Sequence, residues 1–113
     1  MEVKSAVAAL AALAQDSRLA IFRILVQAGA AGLPAGKIGE ATGISPSSLT
    51  FHLKELAHAN MVSSRQQGRF VIYAANYSTM NALLAFLTEN CCGGNPCLPV
   101  CAPTESVSEE VSS

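Results

Sequence analysis

The chain has no Trp and only six aromatic residues, four Phe and two Tyr, among 113. Charge is scarce as well: Asp, Glu, Lys and Arg make up 13% of the residues, against about a quarter in an average protein. With half of its residues hydrophobic, the chain does not have the composition of a disordered polymer. Long apolar runs are missing too. Residues 7–14 and 19–26 are the most apolar stretches, and Asp16 and Arg18 separate them. Neither approaches the ~20 residues that cross a bilayer, so no membrane partner is expected. Glu2 lies beside Lys4 at the start, and no small-residue cleavage site follows an apolar run. A secretory signal is therefore not expected, and the expected location is cytoplasmic.

Cysteine is absent before position 91, and all four cysteines, Cys91, Cys92, Cys97 and Cys101, then fall within eleven residues. A disulfide scaffold staples distant segments and spreads its cysteines accordingly. Clustered thiols point to a metal or redox site instead. Outside this tail there is no nucleophile–base pair, phosphate loop or carboxylate pair. Asp16 and Glu40 read as a helix cap and a solvated face, so an enzyme is not expected.

The net charge of −1 conceals an asymmetry. All seven basic residues lie before position 70, and residues 1–88 hold only four acids, Glu2, Asp16, Glu40 and Glu55, leaving a surplus of three positive charges. The other four acids, Glu89, Glu105, Glu109 and Glu110, lie beyond. A mildly basic body with an acidic tail is compatible with a polyanionic partner, which the whole-chain charge does not suggest.

Val3, Val7, Leu10 and Ala14 recur at helical spacing and predict a first helix. Asp16 is a good N-cap for a second, over about 17–27, with Leu19, Phe22, Leu25 and Val26 inward. Gly29 and Gly32 end it. A short third helix is expected after Pro34, with Ile38 and Ala41 inward and a stop at Gly43. Ser45-Pro46 is the clearest helix start, and the fourth helix runs to about Ala59 with Leu49, Leu53 and Leu56 buried. The period then changes. Phe70, Ile72 and Ala74 alternate with Val71 and Tyr73, and a hairpin back to Val62 turns near Gln67-Gly68. A fifth helix is expected over about 78–90, with Met80, Leu83, Leu84 and Leu87 on one face. Pro96, Pro99 and Pro103 keep the C-terminal segment from being helical. The expected fold is mainly α with a β-hairpin, a winged helix-turn-helix of order α-α-α-α-β-β-α. Residues 1–90 are expected to form one ordered domain and residues 91–113 a Pro/Gly-rich cysteine tail with a disordered end. The first and last helices, not needed to complete the helix-turn-helix core, are expected to form a two-fold homodimer interface.

Three features point to double-stranded DNA. A tight turn at Gly43-Ile44-Ser45 joins two helices. The fourth helix leaves Ser47, Ser48, Thr50, Phe51 and Lys54 toward solvent, small hydroxyls near a helix N-terminus that approach bases and phosphates closely. The hairpin places Arg65, Gln67 and Arg69 where a wing can lie along a phosphate strand or enter the minor groove. Arg65 and Arg69 have a second reading, as charges that guard a strand edge. His52 borders the buried stripe and reads as a structural, hydrogen-bonded residue in preference to a DNA contact. Phe51 has alternatives in packing against the wing or another subunit.

Soft thiolates select soft acceptors: monovalent copper, zinc, cadmium, lead, or trivalent arsenic and antimony. Four thiols suit tetrahedral zinc, but zinc sites commonly build on Cys-x-x-Cys, which is missing. A trivalent metalloid needs three sulfurs on one side. Cys91 and Cys92 supply two, and 93–96 (Gly-Gly-Asn-Pro) can fold Cys97 back as the third, with Cys101 the alternative. A thiol redox switch is a rival, although no Lys, Arg or His sits near these cysteines to favour the thiolate, and Glu89 opposes it.

Residues 13–22 (LAQDSRLAIF), 44–56 (ISPSSLTFHLKEL), 65–69 (RQQGR) and Tyr73 together resemble the ArsR/SmtB family of winged-helix metalloregulatory repressors, over roughly residues 5–92. The resemblance implies a homodimer that binds a pseudo-palindromic operator and leaves it when an inducer binds. Some relatives carry a cysteine trio before the recognition helix; here 33–38 holds no thiol. Zinc-sensing relatives use Asp, His and Glu on the last helix; 77–88 holds none of these. What remains is similar to arsenic-responsive members with adjacent cysteines just past the last helix. The resemblance thus implies trivalent arsenic (arsenite), and by extension antimonite, as inducer at Cys91, Cys92 and Cys97. The alternatives are a redox switch or a cadmium, lead or zinc sensor.

Overall fold

The computed structural model describes residues 1–90. Five helices and three strands run in the order α1 (Val3–Leu13), α2 (Asp16–Ala28), a 3-10 turn (Gly29–Ala31), β1 (Leu33–Pro34), α3 (Ala35–Thr42), α4 (Pro46–His58), β2 (Val62–Gln67), β3 (Phe70–Ala75) and α5 (Tyr77–Leu87). The sheet is antiparallel with order β1-β3-β2. This is the winged helix-turn-helix expected from the sequence, with one added strand. Leu33-Pro34 pairs with Tyr73 and Ile72 of β3. Pro34 is accordingly the N-cap of α3, one step before the first helical position.

Small residues seat α1. Ala6, Ala9 and Ala12 are buried in the same core as Ile21, Phe22 and Leu25 of α2, Ile38 of α3, Leu49, Leu53 and Leu56 of α4, and Leu83 of α5. The larger side chains of the sequence stripe on α1 point away: Val3, Val7 and Leu10 are exposed, Val3 by 66% and Val7 by 58%. The first helix therefore does complete the core, through its alanine face, which corrects the expectation that it stands outside. Its apolar outer stripe is additional.

Other assignments change locally. The N-cap of α2 is Gln15, whose Oε1 accepts from the Arg18 N–H at 2.9 Å. Asp16 sits in the first turn, where a carboxylate still suits the positive end of the helix dipole. Ile21 takes the buried position expected for Leu19, which is exposed. Ala41 is exposed, and Ile38 is the buried residue of α3. Helix α5 ends at Leu87, short of Asn90, and the Asn76 side chain caps its start by accepting from the Thr79 N–H. Tyr77 fixes this helix to α2: its hydroxyl donates to the Val26 carbonyl at 2.8 Å. None of the described helices is long and apolar enough to cross a membrane.

Candidate nucleic-acid interface

The turn between α3 and α4 is built by Gly43, Ile44 and Ser45. Gly43 closes α3 at φ 75°, a left-handed conformation that glycine adopts without the Cβ penalty. Thr42 reinforces the turn, its hydroxyl donating to the Ile38 carbonyl at 2.8 Å and accepting from the Ile44 N–H at 3.3 Å. Ile44 packs against the core. These contacts fix the angle at which α4 leaves α3.

Pro46 opens α4, and Ser45 stands at its N-cap without a side-chain capping bond. The Ser45 carbonyl does accept from the Leu49 N–H at 2.8 Å. The first-turn N–H groups of Ser47 and Ser48 have no helical acceptor, so they and the two hydroxyls are offered outward, at the positive end of the helix. Leu49, Leu53 and Leu56 are buried as the spacing requires, and Ser47, Ser48, Thr50, Phe51 and Lys54 are all exposed. The Thr50 hydroxyl donates back to Pro46 O at 3.0 Å, which leaves its lone pairs and methyl facing solvent. Phe51 is 54% exposed, with its ring edge-on to His52 at 5.6 Å between centroids.

His52 is half-buried and held from α2. The Arg18 guanidinium donates from Nε to the Ala12 carbonyl at 2.7 Å and from Nη1 to His52 Nδ1 at 3.3 Å. The structural reading of His52 holds. Arg18 was missed as a functional position because neither of its partners is near it in helical register.

The wing is β2 and β3 joined by Gly68-Arg69, with Gln67 paired to Phe70. Gly68 has φ 63°, as this tight turn demands. Of the alternating set, Ile72 and Ala74 are buried, and Phe70 is 60% exposed because the hairpin projects past the end of the core. The two wing arginines differ. Arg69 at the tip makes no hydrogen bond or ion pair among the described residues. Arg65 instead donates to Ala31 O at 2.8 Å, Ala30 O at 3.4 Å and Gln67 Oε1 at 3.4 Å. Arg65 was expected among the DNA contacts together with Arg69; the structure turns its guanidinium back onto the protein.

Among the acidic residues of this half, Glu40 pairs with Lys37 at 3.7 Å on an exposed face, in keeping with a solvated role. The four cysteines lie outside the described residues. Among the described residues no cluster of three or more His, Cys, Asp or Glu side chains is placed to hold a metal ion.

The structure combines an exposed polar helix start, a fixed turn behind it and a hairpin whose first strand packs against the same helix. Residues 13–65 match the family model described as a helix-turn-helix domain. The fold and the helix-turn-helix match are those of ArsR-type winged helix-turn-helix transcriptional regulators, which the chain resembles. It is 28% identical over 89 residues to the HTH-type transcriptional regulator YgaV of Escherichia coli, covering 79% of this chain and 88% of that one. The ArsR-like transcriptional regulator from Rhodococcus sp. RHA1 superposes with a TM-score of 0.67 at 25% identity, over 77% of this chain and 78% of its own. The homodimeric winged helix-turn-helix DNA-binding domain of Mb0332 from Mycobacterium bovis superposes with a TM-score of 0.63 at 23% identity, over 78% and 82% of the two chains. The last of these speaks to the fold alone. The helix-turn-helix match covers the α2–β2 region where the sequence resemblance was densest.

Proposed function

We propose that this chain is an ArsR-type repressor that binds operator DNA as a homodimer and is released when trivalent arsenic, or antimony, binds Cys91, Cys92 and Cys97. The observation that carries the DNA half of this reading is the exposed start of α4, with Ser47, Ser48, Thr50, Phe51 and Lys54 on one outward face beside the wing. Here α4 lies in the major groove, with first-turn N–H groups and hydroxyls at phosphate and base edges, Lys54 on the backbone, and Gln67 and Arg69 carried by the wing.

The dimer is proposed through the outer stripe of α1 and the exposed end of α5. Val3, Val7, Leu10 and Leu87 are large apolar side chains left in water in the monomer. A second copy would cover them and would set two α4 helices about one DNA turn apart, ~34 Å. The Mycobacterium bovis domain, which shares this fold, is homodimeric.

The arsenic half rests on donor chemistry. Vicinal thiols begin three residues after Thr88, the C-cap of α5, and soft sulfur donors fit a trivalent metalloid. Each thiol displaces a hydroxyl from arsenous acid, and its proton leaves with that hydroxyl as water. Cys101 is the alternative third donor. The residues of this chain then offer a route inward. α5 is tied to α2 by Tyr77, and α2 is tied to both the end of α1 and α4 by Arg18. A shift of the α5 end is thus felt at the dimer face and at the recognition helix. A hundredfold loss of DNA affinity needs a coupling of only ~2.7 kcal/mol.

A gel-shift titration tests this reading. Wild type should bind DNA from its own promoter and leave it on addition of arsenite under reducing conditions. C91S/C92S should bind equally well and ignore arsenite. Release of the double variant by arsenite would place the site elsewhere, and release of wild type by peroxide alone would favour the redox switch.

A further inference from the structure

The wing extends beyond the core on a two-stranded ribbon. Residues 63–71 are all exposed, and a two-stranded hairpin is by itself marginally stable in water. Something must hold it at a fixed angle to α4 if its tip is to meet DNA in register. Arg65 is placed to do so. It stands on β2 opposite Ile72 of β3, and Ile72 in turn stands opposite Pro34 of β1. Its side chain passes over β3, which separates β2 from β1, and reaches the 3-10 turn that leads from α2 into β1. There it donates to two successive carbonyls, Ala30 and Ala31, and also contacts the Gln67 amide oxygen near the tip.

The turn that receives it is itself anchored. Gly32, at φ 68°, lies so close to the Tyr73 carbonyl of β3 that no side chain fits there. Charge-assisted bonds from a planar fork to two fixed acceptors give orientation as well as attraction. An ammonium group cannot reproduce that fork.

We propose that Arg65 is a positioning residue: it straps the wing to the α2–β1 turn and so sets where Gln67, Gly68 and Arg69 meet DNA, while Arg69 carries the phosphate contact of the tip. The DNA part rests on the reading above; the strap itself is a property of the free protein, and the two are tested separately.

The full chain is compared as wild type, R65K, R69A and R65K/R69A. R65K keeps the charge and removes the fork. In the free protein, amide hydrogen exchange across residues 64–72 should quicken about tenfold in R65K, as local opening becomes easier, and stay unchanged in R69A. Unchanged exchange in R65K would overturn the strap whatever the DNA result. On operator DNA, R65K should lose affinity about fivefold in the wild-type background and almost nothing in the R69A background, since a residue acting through the tip is coupled to it. Equal losses in both backgrounds would make Arg65 an independent DNA contact and overturn the proposal. If R69A binds DNA as wild type does, the tip contact fails as a reading, while the exchange result still decides the strap.

Discussion

Arg18 on α2 lies 3.3 Å from Nδ1 of His52 on the recognition helix, while its Nε donates to the last buried residue of α1, Ala12. One guanidinium thus joins three helices. Because Arg is only a donor, Nδ1 of His52 is the acceptor and its ring proton is assigned to Nε2. The consequence is mechanical. The recognition helix is keyed to the helix whose outer stripe is exposed and to the helix that Tyr77 ties to α5.

Removing the key should cost stability and precision together. R18A leaves the Ala12 carbonyl and His52 Nδ1 without their partner, and a hydrogen bond to a charged group contributes ~1.5–3 kcal/mol. Partial exposure lowers that figure, so a loss of about 1 kcal/mol is expected in urea unfolding. Operator affinity should fall with it, and R18K should restore only part of both.

The glycine that opens the 3-10 turn and the glycine that follows it should respond differently to the same substitution. Both have positive φ, 78° at Gly29 and 68° at Gly32. A Cβ at Gly29 meets nothing, whereas at Gly32 it runs into the Tyr73 carbonyl and comes within 2.9 Å of Ile72 Cγ2. G29A should lose about 1–2 kcal/mol, the left-handed penalty alone. G32A should lose clearly more and loosen β1 from β3. Equal melting shifts for the two variants would remove the close approach as the cause.

Much of this fold was legible because its signals are local. Leu49, Leu53 and Leu56 mark one face of α4, Ser45-Pro46 marks its start, and Gly43 and Gly68 mark two turns, each by a residue type whose backbone or spacing admits few alternatives. The misses share a different cause. A strand of two residues, Leu33-Pro34, has no period to detect. Gln15 and Asp16 are adjacent polar residues, and only the contact with the Arg18 N–H separates cap from first turn. The roles of Arg18 and Arg65 depend on partners 34 to 35 positions away, which no pattern along the chain reveals. Among the DNA-facing candidates, helix periodicity alone was enough to put Ser47, Ser48, Thr50, Phe51 and Lys54 outside.

The outer stripe of α1 gives a direct handle on assembly. Val7 and Leu10 are 58% and 42% exposed, so a charge at either should leave the monomer fold intact. In a covered interface the same charge is buried without a partner, at a cost of several kcal/mol. V7E or L10E should sediment as a monomer at concentrations where wild type is a dimer, and should bind a two-half-site operator at least tenfold more weakly. A variant that remains dimeric would move the interface off α1.

Lys54 should report on the phosphate backbone specifically. It is exposed on the outward face of α4, one position after buried Leu53. Each phosphate neutralised contributes about −0.9 to the slope of log affinity against log salt. K54A should therefore weaken binding to operator and unrelated DNA alike and flatten that slope by about one contact. A loss confined to the operator, with the slope unchanged, would instead assign Lys54 to a base edge.

Release by arsenite also carries a reciprocal requirement. If arsenite lowers operator affinity by some factor, operator DNA must lower arsenite affinity by that same factor, because coupling between two binding equilibria has no direction. For hundredfold release, arsenite titrated into the saturated protein–operator complex should bind about a hundredfold more weakly than into free protein, ~2.7 kcal/mol in either arm. His52 supplies the internal control. H52A breaks the tie between Arg18 and the recognition helix without touching a thiol, so free-protein arsenite affinity should stay as in wild type while the two binding events become less dependent on each other. Full coupling in H52A would show that the tail reaches the DNA face by a route that bypasses the Arg18–His52 contact.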